Sequence, residues 1–208
     1  MRFLLPFVLA ASAGCSVSEP VSVPSANGAM WGTDANLAPS KPDAVLRYAD
    51  HPRGFAELRL PQGDGPFPLA VIFHGGCFKT GVADQAYMSP LATRWQEQGV
   101  ASLNVDYREV GDGGGWPGSF TDWRAAARLI DTVAEAYPID RDRVTLVGHS
   151  AGALPALWLA GERGADSPVG AKPPVRARAA GAAGRGASTV DTPYCRCSSL
   201  PWLREGKR

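Results

Sequence analysis

The chain has 208 residues, enough for one domain with a sizeable core. Its formal net charge of +1 provides no field of the kind that draws nucleic acid, which excludes that partner from the expectations. Hydrophobic residues make up 45% of the chain, an ordinary share, but the average conceals a sharp change of character near residue 161.

The first residues read as an export signal. Met1 and Arg2 form a minimal positive start, and residues 3–11 are an apolar run too short to span a bilayer. Ala11-Ser12-Ala13 has the small-x-small pattern of a cleavage site. Gly14-Cys15 next to it resembles a bacterial lipoprotein signal, which implies a lipidated, membrane-anchoring Cys15; Ser12 departs from the Leu, Val or Ile usual there. The expected destination is the periplasm, a membrane-anchored lipoprotein, or secretion. Residues 16–43, rich in Ser, Pro, Ala and Asn, read as a flexible linker.

The organised part is expected at 44–162. Residues 55–60 alternate and end at Pro61 and Gly63-Asp64-Gly65, a strand running into a turn. Residues 68–73 are a continuous apolar run, as in a strand covered on both faces. Ser89-Pro90 marks a helix start, with Ser89 as N-cap, and Gly99 its end. Residues 100–105 are the next strand. Phe120, Trp123, Ala127, Ile130, Ala134 and Tyr137 recur at helical steps, and Pro138 stops that helix. Residues 144–149 form the strand before Ser150. Strands alternating with helices predict an α/β fold with a mostly parallel sheet and helices on both faces.

Two motifs carry chemistry. Gly148-His149-Ser150-Ala151-Gly152 is a G-x-S-x-G turn that follows a strand and opens a helix. Such a turn lifts one serine off the sheet in a strained conformation with its hydroxyl exposed. Glycines are needed at 148 and 152 because strand and helix approach too closely for side chains. His74-Gly75-Gly76-Cys77 follows the 68–73 strand, and its two glycines let backbone N–H groups turn inward. Acyl transfer needs donors of that kind where charge develops on the carbonyl oxygen. Ser150 is therefore the expected nucleophile, with an oxyanion hole from Ala151 N–H and Gly75 or Gly76 N–H. His74 and His149 are expected to brace the loops rather than move protons.

The pieces His74-Gly75-Gly76, residues 104–108 (Asn-Val-Asp-Tyr-Arg), Gly113-Gly114-Gly115-Trp116-Pro117 and Gly148-His149-Ser150-Ala151-Gly152 carry a resemblance. Residues 45–161 resemble an α/β-hydrolase of the esterase type, close to the HGG-bearing lipase, acetyl-esterase and kynurenine-formamidase-like groups. The resemblance implies a serine nucleophile acting on an ester or related acyl bond of a small molecule, with no cofactor and no metal. Two positions depart from it. Ala153 stands where many relatives have glycine, and Pro155 falls early in the helix after the turn, where it removes a donor.

Other residues read more plainly. The loop at 111–118 is an expected wall of the substrate site or a surface connection, and it lacks the G-x-G-x-x-G spacing of a nucleotide loop. Asp106 and Arg108 are expected to pair structurally, and His51 to sit on the surface. The four cysteines do not spell out a disulfide framework, and Cys195-x-Cys197 is too close for an easy mutual bridge.

The expected base is missing from its place. In this fold the triad order is Ser, Asp or Glu, His, yet the histidines are 51, 74 and 149, none after Ser150. Residues 163–208 are rich in Gly, Ala, Arg and Pro and read as a disordered basic tail without further strands. Either a frameshift or truncation replaced the end of a hydrolase, or the tail is a real appendage on a degenerate one. The expectation is a carboxylesterase-type serine hydrolase with turnover near zero. The alternative is a non-catalytic, exported binding or scaffold fragment.

Overall fold

The computed structural model describes residues 37–162, residues 167 and 168, and the backbone of 176–180. The expected signal peptide, Cys15, most of the linker and the rest of the tail lie outside the described residues. Six strands form one sheet: β1 (Ala44–Arg47), β2 (Phe55–Arg59), β3 (Phe67–Phe73), β4 (Ala101–Val105), β5 (Ile139–His149) and β6 (Arg176–Ala180). Three α-helices accompany them: α1 (Ser89–Glu97), α2 (Gly118–Ala136) and α3 (Ala153–Gly161).

The sheet order is β1-β2-β4-β3-β5-β6. Pairs β4–β3, β3–β5 and β5–β6 are parallel, whereas β1–β2 and β2–β4 are antiparallel. This is the expected α/β fold, with an antiparallel edge on an otherwise parallel sheet.

Alternation along β3 builds a core on each face. Leu69, Val71 and Phe73 join Leu103, Val105, Leu146, Trp123 and Ile130 beneath α2 and α3. Ala70 and Ile72 face the other way, against Met88 and Ala92 at α1. The apolar steps predicted for 120–137 are realised in α2, where Trp123, Ala127, Ile130 and Val133 are buried. Tyr137 leaves the helix in extended conformation directly before Pro138.

The chain leaves β3 toward α1 and leaves β5 toward α3, on opposite faces. The carboxyl ends of two adjacent parallel strands thus diverge, which is where open α/β sheets bind ligands. Register completes the arrangement: Phe73 lies opposite Gly148, so the segments after both strands start side by side.

Three expectations need correction. Residues 37–43 do not behave as free linker: Ser40 N–H donates to Thr93, Arg59 donates to the Ser40 carbonyl, and Leu60 N–H donates to Asp43. Ser89 is not the N-cap of α1 but its first residue, because a 3-10 turn (Gln85–Met88) capped by Asp84 already leads into it. A strand does follow α3, since 176–180 pairs in parallel with 145–149. A ladder needs only backbone groups in register, so a segment without large apolar residues can form one.

Candidate active site

The β5–α3 junction has the tightness its glycines predict. A Cβ on Gly148 would run into the Gly152 carbonyl oxygen, and one on Gly152 into the carbonyl oxygen of Phe73. Between them Ser150 has φ of 51°, in the left-handed region that non-glycine residues avoid. Ser150 is exposed at the rim, and Ala151 is half-buried at the start of the short 3-10 segment Ser150–Gly152.

The 74–77 bend lies directly against this junction. A Cβ on Gly75 would stand 3.0 Å from the His149 carbonyl oxygen and 3.1 Å from the Ser150 Cβ. Gly76, Cys77 and Phe78 have φ of 109°, 54° and 57°, three successive left-handed residues that reverse the backbone. The structure therefore brings Gly75, Gly76, Ser150 and Ala151 to one place.

His74 is fully buried beneath the bend. Its Nδ1–H donates to the Gly75 carbonyl (2.7 Å), since a carbonyl can only accept. Its ring stacks on Tyr107 with centroids 4.2 Å apart, and the Tyr107 hydroxyl donates to the His74 carbonyl at 2.7 Å. Burial pushes the Tyr107 phenol well above its ordinary pKa, so it stays a donor. His74 Nε2 sits 3.2 Å from Asp106 Oδ1, outside hydrogen-bonding geometry.

The expected Asp106–Arg108 pair does not form. Beyond the end of β4 each of the two finds a partner on another element. Arg108 grips Asp122 of α2, with Nη2 at 2.7 Å from Oδ1 and Nε at 3.0 Å from Oδ2. Asp106 faces Arg53 Nη1 at 3.3 Å. His51 is not a surface residue either: its side chain is 18% exposed and its Nε2 lies 3.2 Å from Asp122 Oδ1.

Arg53, in the β1–β2 turn, gathers three carboxylates. Its Nη2 donates to Glu109 Oε2 at 2.6 Å, and its Nε lies 3.0 Å from Asp112 Oδ2, beside the Asp106 contact. Glu109 is fully buried, and burial drives its pKa up to about 7 despite the Arg53 hydrogen bond and the nearby His74.

His149 packs against Tyr87 with ring centroids 5.4 Å apart, and burial lowers its pKa, favouring the neutral ring at pH 7. His74 thus braces the bend by a hydrogen bond, whereas His149, expected to do the same, has its Nδ1 buried with no hydrogen-bond partner. No side chain among the described residues hydrogen-bonds the Ser150 hydroxyl. A cavity of about 580 Å³ opens beside the site, lined by His51, Arg53, Val82, Tyr87, Arg108 and Asp112. Ser150 is outside its lining; Tyr87 connects the two by touching both the cavity and His149.

The 111–118 loop is packed on its own chain. Gly114 lies against the Arg108 carbonyl, and Ser119 Oγ donates to that same carbonyl while accepting from Gly115 N–H. Its Trp116 is 60% exposed and edge-on to Phe120. Cys77, in the bend, is disulfide-bonded.

Sequence reasoning missed Arg53, Glu109, Asp122 and the role of Tyr107. Arg53 had no signal, because a turn between strands does not announce what it faces. Glu109 had a weak one, a carboxylate placed directly after the Asp-Tyr-Arg run that leaves a buried strand.

Residues 57–169, just over half of the chain, match the BD-FAE family model. Neuroligin-like protein glit-1 of Caenorhabditis elegans is 33% identical over 94 residues, 42% of this chain and 12% of that protein. A solved bacterial heroin esterase aligns with a TM-score of 0.46 at 30% identity, covering 51% of this chain and 33% of its own. The esterase Est2 of Thermogutta terrifontis aligns with a TM-score of 0.48 at 22% identity, covering 54% of this chain and 43% of its own. The chain spans less than half the length of each of these relatives.

Proposed function

The chain belongs to the BD-FAE family, of esterase-like α/β-hydrolases, and from that premise we propose that it is a carboxylesterase-type serine hydrolase acting on small esters or related acyl compounds. The observation that carries this reading is Ser150, held at φ of 51° on the rim with Gly75 packed against it. In the proposed reaction Ser150 Oγ bonds to the acyl carbon, and the carbonyl π electrons move onto oxygen. The N–H of Ala151 and that of Gly75 or Gly76 receive the resulting oxyanion. Collapse of that intermediate breaks the bond to the leaving oxygen, which takes up a proton through solvent in place of the one Ser150 gave up, so the alcohol departs and an acyl-serine remains for water to release.

The hydroxyl proton needs an acceptor, and among the described residues no histidine is hydrogen-bonded to Ser150: His51 meets Asp122, His74 donates to the Gly75 carbonyl, and His149 packs on Tyr87 with its Nδ1 unpartnered. We therefore place turnover by this chain near zero, with only a residual rate from the oxyanion donors. Export is part of the proposal. The apolar run at 3–11 supports it, as does the bridged Cys77, because disulfides persist in oxidising compartments. Anchoring through a lipidated Cys15 is the membrane half of the same proposal.

A fluorophosphonate probe tests the nucleophile without requiring turnover. Slow labelling of folded protein at Ser150, abolished in Ser150→Ala, is the expected result. Folded protein that never labels there would point to the non-catalytic scaffold reading.

A further inference from the structure

Glu109 is the buried ionisable group that the proposed mechanism leaves without a task. Its Oε2 is held by Arg53, but its Oε1 is buried with no hydrogen-bond partner. That bare oxygen faces the bend: it would lie 3.4 Å from a Cβ on Gly76. We propose that Glu109 is a positioning residue for the 74–77 bend, holding it firmly when neutral and loosening it when ionised. The inference rests on reading that bend as the oxyanion loop.

The surrounding charges argue for it. Facing Glu109 are Arg53 from the β1–β2 turn, His74 from the end of β3, and Asp106, Tyr107 and Asp112 from its own segment. One guanidinium serves three carboxylates there, so a fully ionised Glu109 adds a negative charge that Arg53 alone does not balance. A buried anion with an unmet oxygen is costly, and Gly76 of the bend lies beside that oxygen. Ionisation therefore pulls on the backbone whose amides are meant for the oxyanion, and puts a like charge behind it. The neutral carboxyl does neither. Burial places the change near neutral pH.

Amide hydrogen exchange resolved at residues 75–78 tests this, as protection relative to the unfolded rate at each pH. In the native chain protection should fall about tenfold between about pH 6 and pH 8, and stay nearly level in Glu109→Gln. An equal fall in Glu109→Gln, or none in the native chain, overturns the proposal. The carboxyl carbon of Glu109, followed by NMR in the unmodified chain, supplies a readout that needs no variant. It must titrate in step with the protection, and titration in the usual carboxylate range overturns the proposal. Fluorophosphonate labelling separates the two readings. Unlabelled Ser150 with a pH-dependent bend sinks the hydrolase and spares the role of Glu109 in holding the bend; labelled Ser150 with a pH-independent bend does the reverse.

Discussion

Gly152 and Phe73 meet backbone to backbone: a Cβ on the glycine would be driven into the Phe73 carbonyl oxygen and stand 2.6 Å from that of His74. This contact locks the turn after β5 onto the end of β3, and so locks Ser150 to the bend. Gly152→Ala should destabilise the chain by roughly 3 kcal/mol or prevent folding, because neither carbonyl is the end of a flexible side chain. Gly161→Ala, with nothing within 4 Å of its Cβ, is the matched control. Thermal unfolding followed by circular dichroism compares them; an unchanged midpoint for Gly152→Ala contradicts the geometry.

Asp122, 1% exposed, ties α2 to the segment after β4 through Arg108 and to the β1–β2 turn through His51. Asp122→Ala leaves the Arg108 backbone N–H without its acceptor and the guanidinium with only the Gly118 carbonyl, at a cost of about 2–3 kcal/mol. Asp122→Asn keeps the shape and one acceptor oxygen and should lose less. Urea unfolding curves of the two variants give the ordering, and equal losses would count against the ion pair.

Stability should depend on pH through Glu109. Its pKa is about 7 in the fold against an ordinary 4.5, so the folded state holds the proton more tightly. The contribution is fully present below pH 4.5 and is lost as pH rises through 7. Between those limits the native chain should lose on the order of 3 kcal/mol relative to Glu109→Gln. Parallel unfolding free energies for the two chains across this range would refute the assignment.

Reduction should weaken the chain. A disulfide at Cys77 restricts the unfolded chain, and removing such a link costs about 2–4 kcal/mol. Reductant should lower the melting temperature of the native chain and leave Cys77→Ser unaffected. Peptide mapping without reductant names the partner cysteine, and a free Cys77 thiol in oxidised protein would remove this expectation.

Much of the scaffold is legible because its signals are local. The apolar run at 68–73, the helical steps of 120–137 and the paired glycines around Ser150 each act within a few residues of themselves. β1 and β6 were illegible for the opposite reason. A strand of four residues, or one rich in Arg and Ala, is stabilised by the ladder it joins.

The order of residues by itself determined the α/β alternation, the turn that lifts Ser150 and the glycine bend after β3, because backbone conformation and side-chain period are set by near neighbours. Only the tertiary structure decided who pairs with whom: Arg108 with Asp122 rather than Asp106, Arg53 with Glu109, Gly75 against Ser150. Those partnerships join residues as far apart as 75 and 150. Parallel register and sheet order bring such residues together, and neither is written in any short stretch of chain.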